Sequence, residues 1–428
     1  MGKWLPISDL FYFEKGSLQS SKSTDGDFPF ITAAETWKTH ETFTHDCEAL
    51  IFAMAASGSL GRTHYIKGKF ISSDLCFILT PKENKDLDLL FYYRVFNFLR
   101  EDIVKKTATG TSKLAINRSN FGEYKIPYFD YEHQIKFRDK IDAISDIKIS
   151  LLNSFSDQEK YVSQLKQAIL QEAIAGQLTA EWRTQNPMQN GNPDTDAAAL
   201  LAKIKTKKQQ AIADGKLKKE NILPKISPDK IPFILPDTWV WCPFGEVTHF
   251  IDYRGKTPTK ITSGIRLITA KNVKQGYLSL SPDEYISEQE YEERMTRGYP
   301  QLGDVFFTTE APLGNACLNN LDEPISMGQR IITIRSIAFL SSYLLKVLLS
   351  PQIQKEIDIR KTGVTAQGIK SKKLVEVPFP LPPLAEQKVI VEKVDRLMNI
   401  IDQLEQQIKH RKQLAENLMQ TVLREAFE

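Results

Sequence analysis

Cysteine is scarce in this sequence, and long apolar runs are absent. The 428 residues include four cysteines, Cys47, Cys76, Cys242 and Cys317, which lie far apart and form no CxxC pair. The small number and wide spacing of the cysteines argue against a fold stabilised by disulfide bonds and fit a reducing compartment. The longest apolar run, residues 337–349, is interrupted by serine and lysine and is too short to cross a bilayer. Because the first residues also lack a signal-peptide core, we expect a soluble cytoplasmic protein.

Motifs for nucleotide or metal chemistry are also missing. The sequence contains no GxxxxGK[ST] loop, no GxGxxG turn, and no [N/D]-P-P-[Y/F/W] motif of the kind that holds a flipped base in DNA amino-methyltransferases. His40, His45 and Cys47 come closest to a metal site, but no second pair of ligands stands at zinc-site spacing. We therefore predict a noncatalytic chain that binds no metal and no cofactor.

The sequence does contain an internal duplication. Residues 109–175 align with residues 362–428 at a constant offset of 253 and without a gap. The match includes the loop before each helix, where Pro127 falls on Pro380. Further upstream the offset becomes 237 and still places tryptophan on tryptophan at the start of each half. Two unrelated amphipathic helices could share a helical pattern but not a matching loop, so we infer a true repeat.

Most of each copy reads as one long helix whose apolar residues alternate steps of four and three. This heptad spacing predicts burial against a partner helix, and the natural partner of each helix is the other. Antiparallel pairing is favoured, because the connector then enters the second domain locally. The predicted coiled-coil seam contains Ile141, Ile144, Leu151, Phe155, Val162, Leu165, Val394, Leu397, Ile401, Leu404, Ile408 and Leu418.

Short β-branched and aromatic runs between turn residues precede each long helix, which predicts α+β domains. Examples are Ala49–Phe52, Phe70–Leu79, Asp304–Thr308 and Arg330–Ile334, with short helices over Leu87–Val104 and Ser341–Ile359. We predict two globular domains separated by two long helices paired as an antiparallel coiled coil, with internal two-fold pseudosymmetry. The predicted boundaries are residues 1–130 and 237–380 for the domains, 131–180 and 381–428 for the helical regions, and 181–236 for a linker with a basic helix.

Positive charge is concentrated locally, since the whole chain has a net charge of only +3. Basic residues cluster in one segment of the second domain and in the loop before each long helix. Lysine and arginine bind phosphates, whereas asparagine, glutamine and arginine can read base edges. Candidate DNA-binding residues are Arg62, Lys105, Lys106, Lys113, Arg118, Arg254, Lys256, Lys260, Lys271, Asn272, Arg360, Lys361, Gln367 and Lys370. A solvated surface explains any single cluster equally well, but their presence in both copies favours DNA.

Several motifs resemble the specificity subunits of type I restriction-modification systems. Residues 378–387, Pro-Phe-Pro-Leu-Pro-Pro-Leu-Ala-Glu-Gln, resemble the sequence motif at the start of that family's conserved helical region. Residues 235–239 resemble the usual start of a target-recognition domain, residues 303–307 its mid-domain strand, and residues 362–369 its pre-helix loop. In the first copy, Tyr128-Phe129-Asp130-Tyr131 stands where the second copy has the double proline Pro382-Pro383. The end of the first domain is therefore less well defined by sequence.

This resemblance implies a noncatalytic subunit of an adenine-methyltransferase and endonuclease complex for phage defence. Each target-recognition domain would read one half of an asymmetric bipartite sequence in double-stranded DNA. The helices would set the spacer and dock two methyltransferase subunits, which carry S-adenosylmethionine, and two motor-nuclease restriction subunits would complete the complex. Two alternatives stay open: a coiled-coil adaptor that binds only protein, and a self-contained DNA methyltransferase or nuclease.

Overall fold

The computed structural model describes residues 2–56, 58–110, 114–218, 222–253, 257–363 and 367–425. The chain divides into two compact units: unit 1 contains residues 1–157 and 408–428, and unit 2 contains residues 158–407. Each unit holds one globular part of the repeat and a portion of both long helices. Within the described residues, no helix combines the length and apolar character needed to cross a membrane.

Unit 1 begins with its globular part and continues into the first long helix. Its strands are β1 Lys3–Pro6, β2 Phe11–Lys15, β3 Phe28–Ile31, β4 Lys38–His40, β5 His45–Ala53, β6 Thr63–Ser72, β7 Cys76–Pro81, β8 Ala108–Thr109, β9 Ala115–Ile116 and β10 Lys125–Tyr128. Its helices are α1 Ile7–Leu10, α2 Leu89–Phe98, α3 Arg100–Thr107, α4 Arg118–Glu123 and the first part of α5 Tyr131–Ile174.

Unit 2 contains the remaining elements. Its strands are β11 Val240–Pro243, β12 Thr248–Ile251, β13 Ile265–Ile268, β14 Tyr285–Ile286, β15 Val305–Thr308, β16 Ala316–Leu318, β17 Ile325–Met327, β18 Ile331–Ser336 and β19 Pro378–Leu381. Its helices are α6 Ala180–Gln185, α7 Ala197–Ala213, α8 Phe244–Val247, α9 Glu288–Arg294, α10 Ser341–Leu349, α11 Pro351–Ile359, α12 Ser371–Leu374 and most of α13 Leu384–Glu425.

The core of unit 1 lies between a sheet and short helices. Six strands form the sheet in the order β2-β7-β5-β6-β3-β4. Leu50 and Phe52 of β5 are fully buried in one cluster with Tyr92 and Phe96 of α2 and with Phe121 of α4. The opposite face of β5 is also buried, which explains why this strand reads as a continuous apolar run rather than an alternating one.

Unit 2 has two smaller sheets. One has four strands in the order β12-β18-β15-β16, and the other has three in the order β14-β13-β17. A cluster that includes Ile251, Ile268, Phe306 and Ile331 contains buried residues from both sheets. The α+β class predicted from the sequence is confirmed.

Both globular parts close in the same way. Strand β1 pairs antiparallel with β10, and β11 pairs antiparallel with β19. Each pair therefore joins the first strand of a domain to the strand that immediately precedes its long helix. The register places Trp4 opposite Pro127 and Trp241 opposite Pro380, the residues that the repeat aligns.

An ion pair attaches each long helix to the short helix of its own domain. Arg94 of α2 lies 2.6 Å from Asp142 of α5, and Lys346 of α10 lies 2.5 Å from Asp395 of α13. The two aspartates are 253 residues apart in the sequence, so the duplication preserves a tertiary contact and not only a helical pattern.

A buried carboxylate fixes the start of α13. Glu386 has no exposed surface. It accepts hydrogen bonds from Thr179 Oγ1 at 2.5 Å, Arg183 at 2.6 Å and Trp239 Nε1 at 2.8 Å. These donors come from the turn after α5, from α6 and from the residue before β11, so one side chain joins three segments of unit 2.

The long helices confirm the main prediction from the repeat. Helix α5 ends at Ile174, inside the predicted helical region 131–180, and is followed by Gly176 in the left-handed conformation. Within unit 2 the two helices run antiparallel. Lys166 lies 2.9 Å from both Asp402 and Glu405, whereas Leu178, later in the chain, accepts from Lys393, which is earlier in α13.

The predicted seam is only half correct. Residues spaced seven apart are buried, namely Phe155, Val162 and Ile169 in α5 and Val394, Ile401 and Ile408 in α13. The alternate seam positions are more open: Leu151, Leu165, Leu404 and Leu418 are 37%, 46%, 40% and 64% exposed. A second helix covers one line of each heptad, and the apolar side chains on the other line stay accessible.

Two predicted segments also split. Phe70–Leu79 is not one strand, because a turn at residues 74 and 75 separates β6 from β7. The helix predicted over Ser341–Ile359 is interrupted before Pro351, whose ring is incompatible with a helix interior but suits the first turn of α11. Similarly, the first-copy helix divides into α2 and α3 at Leu99.

Candidate nucleic-acid interface

In unit 2 the fold joins the loop before α12 to the end of a strand. Ile369 N–H donates to the Thr309 carbonyl at 2.9 Å, directly after β15. Thr362 and Gly368 exchange backbone hydrogen bonds of 2.8 and 3.0 Å, which closes the loop on itself. Gly368 and Ile369 are therefore held at the end of β15.

The same loop meets the segment that follows β12. Ser371 Oγ donates to Asp252 at 3.0 Å. Asp252 directly precedes the basic stretch of the second domain, and Ser371 begins α12 with its Lys372 and Lys373. Asp252 and Ser371, which are more than a hundred residues apart in the sequence, thus meet in unit 2.

Three predicted DNA-binding residues are exposed at this place or near it. Lys370 is exposed just before α12, Gln367 is exposed in the preceding loop, and Lys271 is exposed after β13. Their side chains can reach a nucleic-acid backbone without breaking internal contacts. Arg254, Lys256 and Lys113 lie outside the described residues.

Other predicted contacts already have acidic partners. Lys260 pairs with Glu284 at 2.7 Å, and Lys361 pairs with Asp358 at 2.8 Å. Such exposed pairs contribute little stability, about 0–1 kcal/mol, so these lysines can exchange a carboxylate for a phosphate. Arg360 is different, because it donates to both the carbonyl and the carboxylate of Glu356 and is mostly buried.

Asn272 does not occupy the position expected of a base reader. Its side chain is 1% exposed. The amide nitrogen donates to the carbonyls of Ser279 and Pro282, and the amide oxygen accepts from Thr269 N–H and Oγ1, all at 2.9 Å. Because its donors and acceptor are all engaged inside the turn, Asn272 stabilises this loop and presents no free group to a base.

In unit 1 the helices on either side of the corresponding loop carry Lys105 and Lys106, in α3, and Arg118, at the start of α4. Lys105 is exposed, and Lys106 pairs with Asp102 at 2.8 Å. The hydrogen bonds from Lys106 and Tyr124 lower the pKa of Asp102. Arg118 donates to the Phe13 carbonyl at 2.9 Å, and its guanidinium lies 5.3 Å from the centre of the Phe13 ring. Arg118 thus keeps a fixed position while remaining exposed.

Two arginines hold the turn before β6. Arg62 donates to the Ala33 carbonyl at 3.3 Å, and Arg100 donates to the Leu60 carbonyl at 2.8 Å. Gly61 packs closely there with φ of +79°, and an added Cβ would lie 2.7 Å from Val104. Arg100 therefore helps to hold the turn that contains the predicted residue Arg62, and the sequence did not reveal it because the two arginines lie on separate elements.

Trp37 is a second residue that the sequence did not identify. Its ring is 42% exposed, and its Nε1 donates to His64 Nδ1 at 3.2 Å. Arg62 is two residues before His64 and lies 4.0 Å from Glu35. An exposed aromatic ring can contact a nucleobase face. A tryptophan within the polar stretch Glu35-Thr36-Trp37-Lys38-Thr39 is the signal that could have identified it.

The metal hypothesis for His40, His45 and Cys47 receives no geometric support. His40 Nδ1 lies 3.1 Å from Thr42 N, whereas His45 Nε2 lies 2.5 Å from Glu14. The two imidazoles therefore face different partners. Within the described ranges, no three His, Cys, Asp or Glu side chains are arranged to hold a metal ion.

Comparison with known proteins identifies relatives across nearly the whole chain. Residues 3–174 and 236–411 match the family described as Type I restriction modification DNA specificity domain. The chain is 31% identical over 269 residues to the type I restriction enzyme EcoAI specificity subunit of Escherichia coli, a match that covers 60% of this chain and 43% of that relative. It is 23% identical over 441 residues to the EcoDI specificity subunit of Escherichia coli, covering 99% of this chain and 87% of that relative.

A solved structure shares the fold. A chain from a structural study of complex assembly in the type I R-M system aligns with a TM-score of 0.62 at 17% identity. The alignment covers 100% of this chain and 97% of that one. This likeness supports the arrangement of two globular parts and two long helices.

Proposed function

The chain belongs to the type I restriction-modification DNA specificity family, and we propose on this basis that it is the DNA-reading subunit of such a system. The observation that carries the proposal is the double family match, one over each copy of the repeat. Each copy folds as its own α+β domain and ends in a loop that is tied to its sheet. Two such readers in one chain would bind a target with two halves.

The two halves of the target should differ. In unit 1, Lys105 and Arg118 are exposed on the helices that flank the loop, whereas the unit 2 loop presents Gln367 and Lys370. The main sheets differ as well: unit 1 has one sheet of six strands, whereas unit 2 has one sheet of four strands and one of three. Because base readout depends on side chains at fixed positions, different side chains would select different sequences.

The exposed apolar heptad positions of α5 and α13 support a role for these helices in assembly. Leu165 and Leu404 leave 46% and 40% of their surface accessible. Exposed apolar side chains along a helix are typical of surfaces that bind protein. The named relatives are specificity subunits of restriction enzymes. We therefore assign these helices to the docking of two methyltransferase subunits and to the setting of the spacer.

The remaining chemistry would belong to the partners. S-adenosylmethionine would bind to the methyltransferase subunits, and two motor-nuclease subunits would cleave DNA. The chain itself would act in the cytoplasm without a cofactor. The family match favours this function over a protein-only adaptor and over a self-contained methyltransferase or nuclease, because the matched domains are described as DNA specificity domains.

Selection from a random duplex library tests the proposal. The full chain, purified with its methyltransferase subunits, should enrich two unequal short motifs separated by a spacer of constant length. A single continuous motif would contradict the two-reader arrangement, and no enrichment at all would contradict the proposed function.

A further inference from the structure

Helix α7, between the two family-matched regions, carries unusually concentrated positive charge. Residues 196–230 contain nine lysines, four acidic residues and no arginine. This short segment has a larger positive excess than the whole chain, whose net charge is +3. The solvated face of a flexible connector would explain lysines of this kind, but the structure gives them a different setting.

Helix α7 is docked on unit 2 rather than free. It begins after Asp196, whose side chain accepts from the N–H groups of Ala198 at 2.8 Å and Ala199 at 3.3 Å. Leu200 and Ile204 are completely buried, one helical turn apart. The helix therefore has one buried face, and its orientation on unit 2 is fixed.

Two lysines strengthen this attachment. Lys208 Nζ donates to the carbonyls of Gly245 at 2.5 Å and Thr248 at 3.0 Å, at the two ends of α8. Lys205 pairs with Glu246 of the same short helix at 3.2 Å. These contacts account for the lysines on the inner side of α7.

The outer side is different. Lys203 and Lys207 are exposed and lie four residues apart, on one face of the helix. Among the described residues, no carboxylate lies within ion-pair distance of either of them, and Lys218 beyond the helix is also exposed. Like charges at this spacing destabilise a helix by a few tenths of a kcal/mol, so their presence on a rigid surface suits an anionic partner.

Helix α7 also lies close to the candidate DNA-binding loop. The Gly245 carbonyl binds Lys208, and the Gly245 N–H donates to the Val375 carbonyl at 3.0 Å. Val375 directly follows α12, which carries Lys372 and Lys373. A single residue of α8 therefore separates the basic helix from the basic loop, and both belong to unit 2.

We propose that Lys203, Lys207 and Lys218 bind the phosphate backbone of the DNA that the second domain reads. The absence of arginine between residues 196 and 230 fits this role, because lysine contacts phosphate as a point charge, whereas arginine also reads guanine bidentately. The helix thus adds affinity without sequence preference. This inference rests on the proposed DNA-reading function.

The test uses the full chain in complex with its methyltransferase subunits and the triple variant K203Q/K207Q/K218Q. Glutamine keeps the helix propensity and removes the charge. Binding is measured at several salt concentrations on the selected target duplex and on an unrelated duplex. The slope of log affinity against log salt should fall by up to about 2.7, from about 0.9 for each lost phosphate contact. Affinity for both duplexes should decrease by the same factor.

A matched control separates this effect from a general loss of charge. The variant K3Q/K125Q/K355Q removes three exposed lysines from β1, β10 and α11, and it should retain the wild-type slope. An unchanged slope in the α7 variant, with target selection intact, would overturn the inference but not the proposed function. Loss confined to the target duplex would also overturn it, because α7 would then read bases. Release of a protein subunit, seen by size-exclusion chromatography without a change in slope, would assign α7 to a protein partner instead.

Discussion

Gln134 and Gln387 occupy the same position near the start of α5 and α13, and both side chains are completely buried. Gln134 Oε1 accepts from the Asp88 N–H at 2.7 Å, and Gln387 Oε1 accepts from the Leu340 N–H at 3.0 Å. Asp88 and Leu340 are the residues that precede α2 and α10. Each Nε2 donates to a carbonyl just before its own long helix, at 2.7 and 2.9 Å. One amide thus couples each long helix to its reader.

Replacing Gln387 by methionine should destabilise unit 2 by about 3 kcal/mol. The variant leaves the Leu340 N–H and the Pro382 carbonyl buried without a partner, and each such group costs about 1–3 kcal/mol. Urea unfolding followed by tryptophan fluorescence measures the change. The exposed Gln403→Met variant of the same helix should remain within about 0.5 kcal/mol of wild type. Equal effects of the two substitutions would mean that the buried amide has no special role.

Removal of the Glu386 carboxylate should cost more. Glu386→Ala leaves Arg183 largely buried without its counter-charge and orphans the Trp239 N–H, and a broken buried pair costs about 3–5 kcal/mol. The double variant R183M/E386M removes both charges, so it should lose less stability than Glu386→Ala alone. Amide hydrogen exchange in residues 177–185 should rise in the single variant. If R183M/E386M is less stable than Glu386→Ala, the expectation is wrong and the ion pair itself stabilises the fold.

Trp37→Ala should alter only the half-site that the first domain reads. The tryptophan ring is 42% exposed in unit 1, so its loss removes an accessible aromatic surface without opening the core. Library selection with this variant should relax positions in one half of the target by about 1–3 kcal/mol, the typical value for stacking one base on an aromatic ring. A uniform loss over both halves would instead indicate misfolding or a backbone contact.

The Trp37 contact also predicts a pH dependence. Burial lowers the pKa of His64 below 6.5, and the neutral ring accepts the Trp37 hydrogen bond. Below pH 6.5 the unfolded chain therefore binds more protons at this histidine than the folded chain. This contribution to stability is complete above pH 6.5 and decreases as the pH falls through that value towards the lower folded pKa. Urea midpoints of His64→Gln should show a weaker decline between pH 6.5 and 5 than those of wild type.

Exchange of residues 1–125 for the matching domain of a relative should change one half-site and leave the other unchanged. The reason is that the first domain has its own core and its own loop before the long helix. Methylome sequencing of cells that express the hybrid with its partner subunits gives the answer directly. Simultaneous change of both halves would contradict independent readers.

The spacer provides another prediction. Insertion of one heptad after Leu151 and another after Leu404 preserves the repeat of apolar positions and lengthens each helix by about 10 Å. If the helices set the spacer, the preferred target should gain about three base pairs, at about 3.4 Å per pair. The added DNA also rotates one half-site by about 100°, so weaker binding is expected. An unchanged spacer would assign the distance to the methyltransferase subunits.

Local periodicity explains what could be predicted from the sequence. The long helix α5 follows from the heptad spacing, which depends only on residues that are close in the sequence. The exposure of Leu165 was not predictable, because a heptad pattern indicates which face is apolar but not how many neighbours cover it. Candidate family and fold class followed from the duplication and its motifs.

Contacts between distant segments account for what was missed. Asn272 has the amide side chain that a base reader needs. Only the path of the turn around Ser279 and Pro282 reveals that this amide donates its hydrogen bonds to carbonyls within the turn. Trp37 and His64 are 27 residues apart and meet across the end of a sheet. Such pairs depend on strand order, which a single sequence does not specify.

The closing strand pairs have a consequence for evolution. Because β1 lies beside β10, and β11 beside β19, each reader enters and leaves at neighbouring points, like a domain inserted at the N-terminal end of a helix. When recombination exchanges residues 3–128 as one block, both ends of the block lie in β1 and β10, two paired strands of four residues each. Only this pair of strands has to fit the recipient chain. Whole globular parts can therefore be exchanged between chains, while the long helices are inherited unchanged.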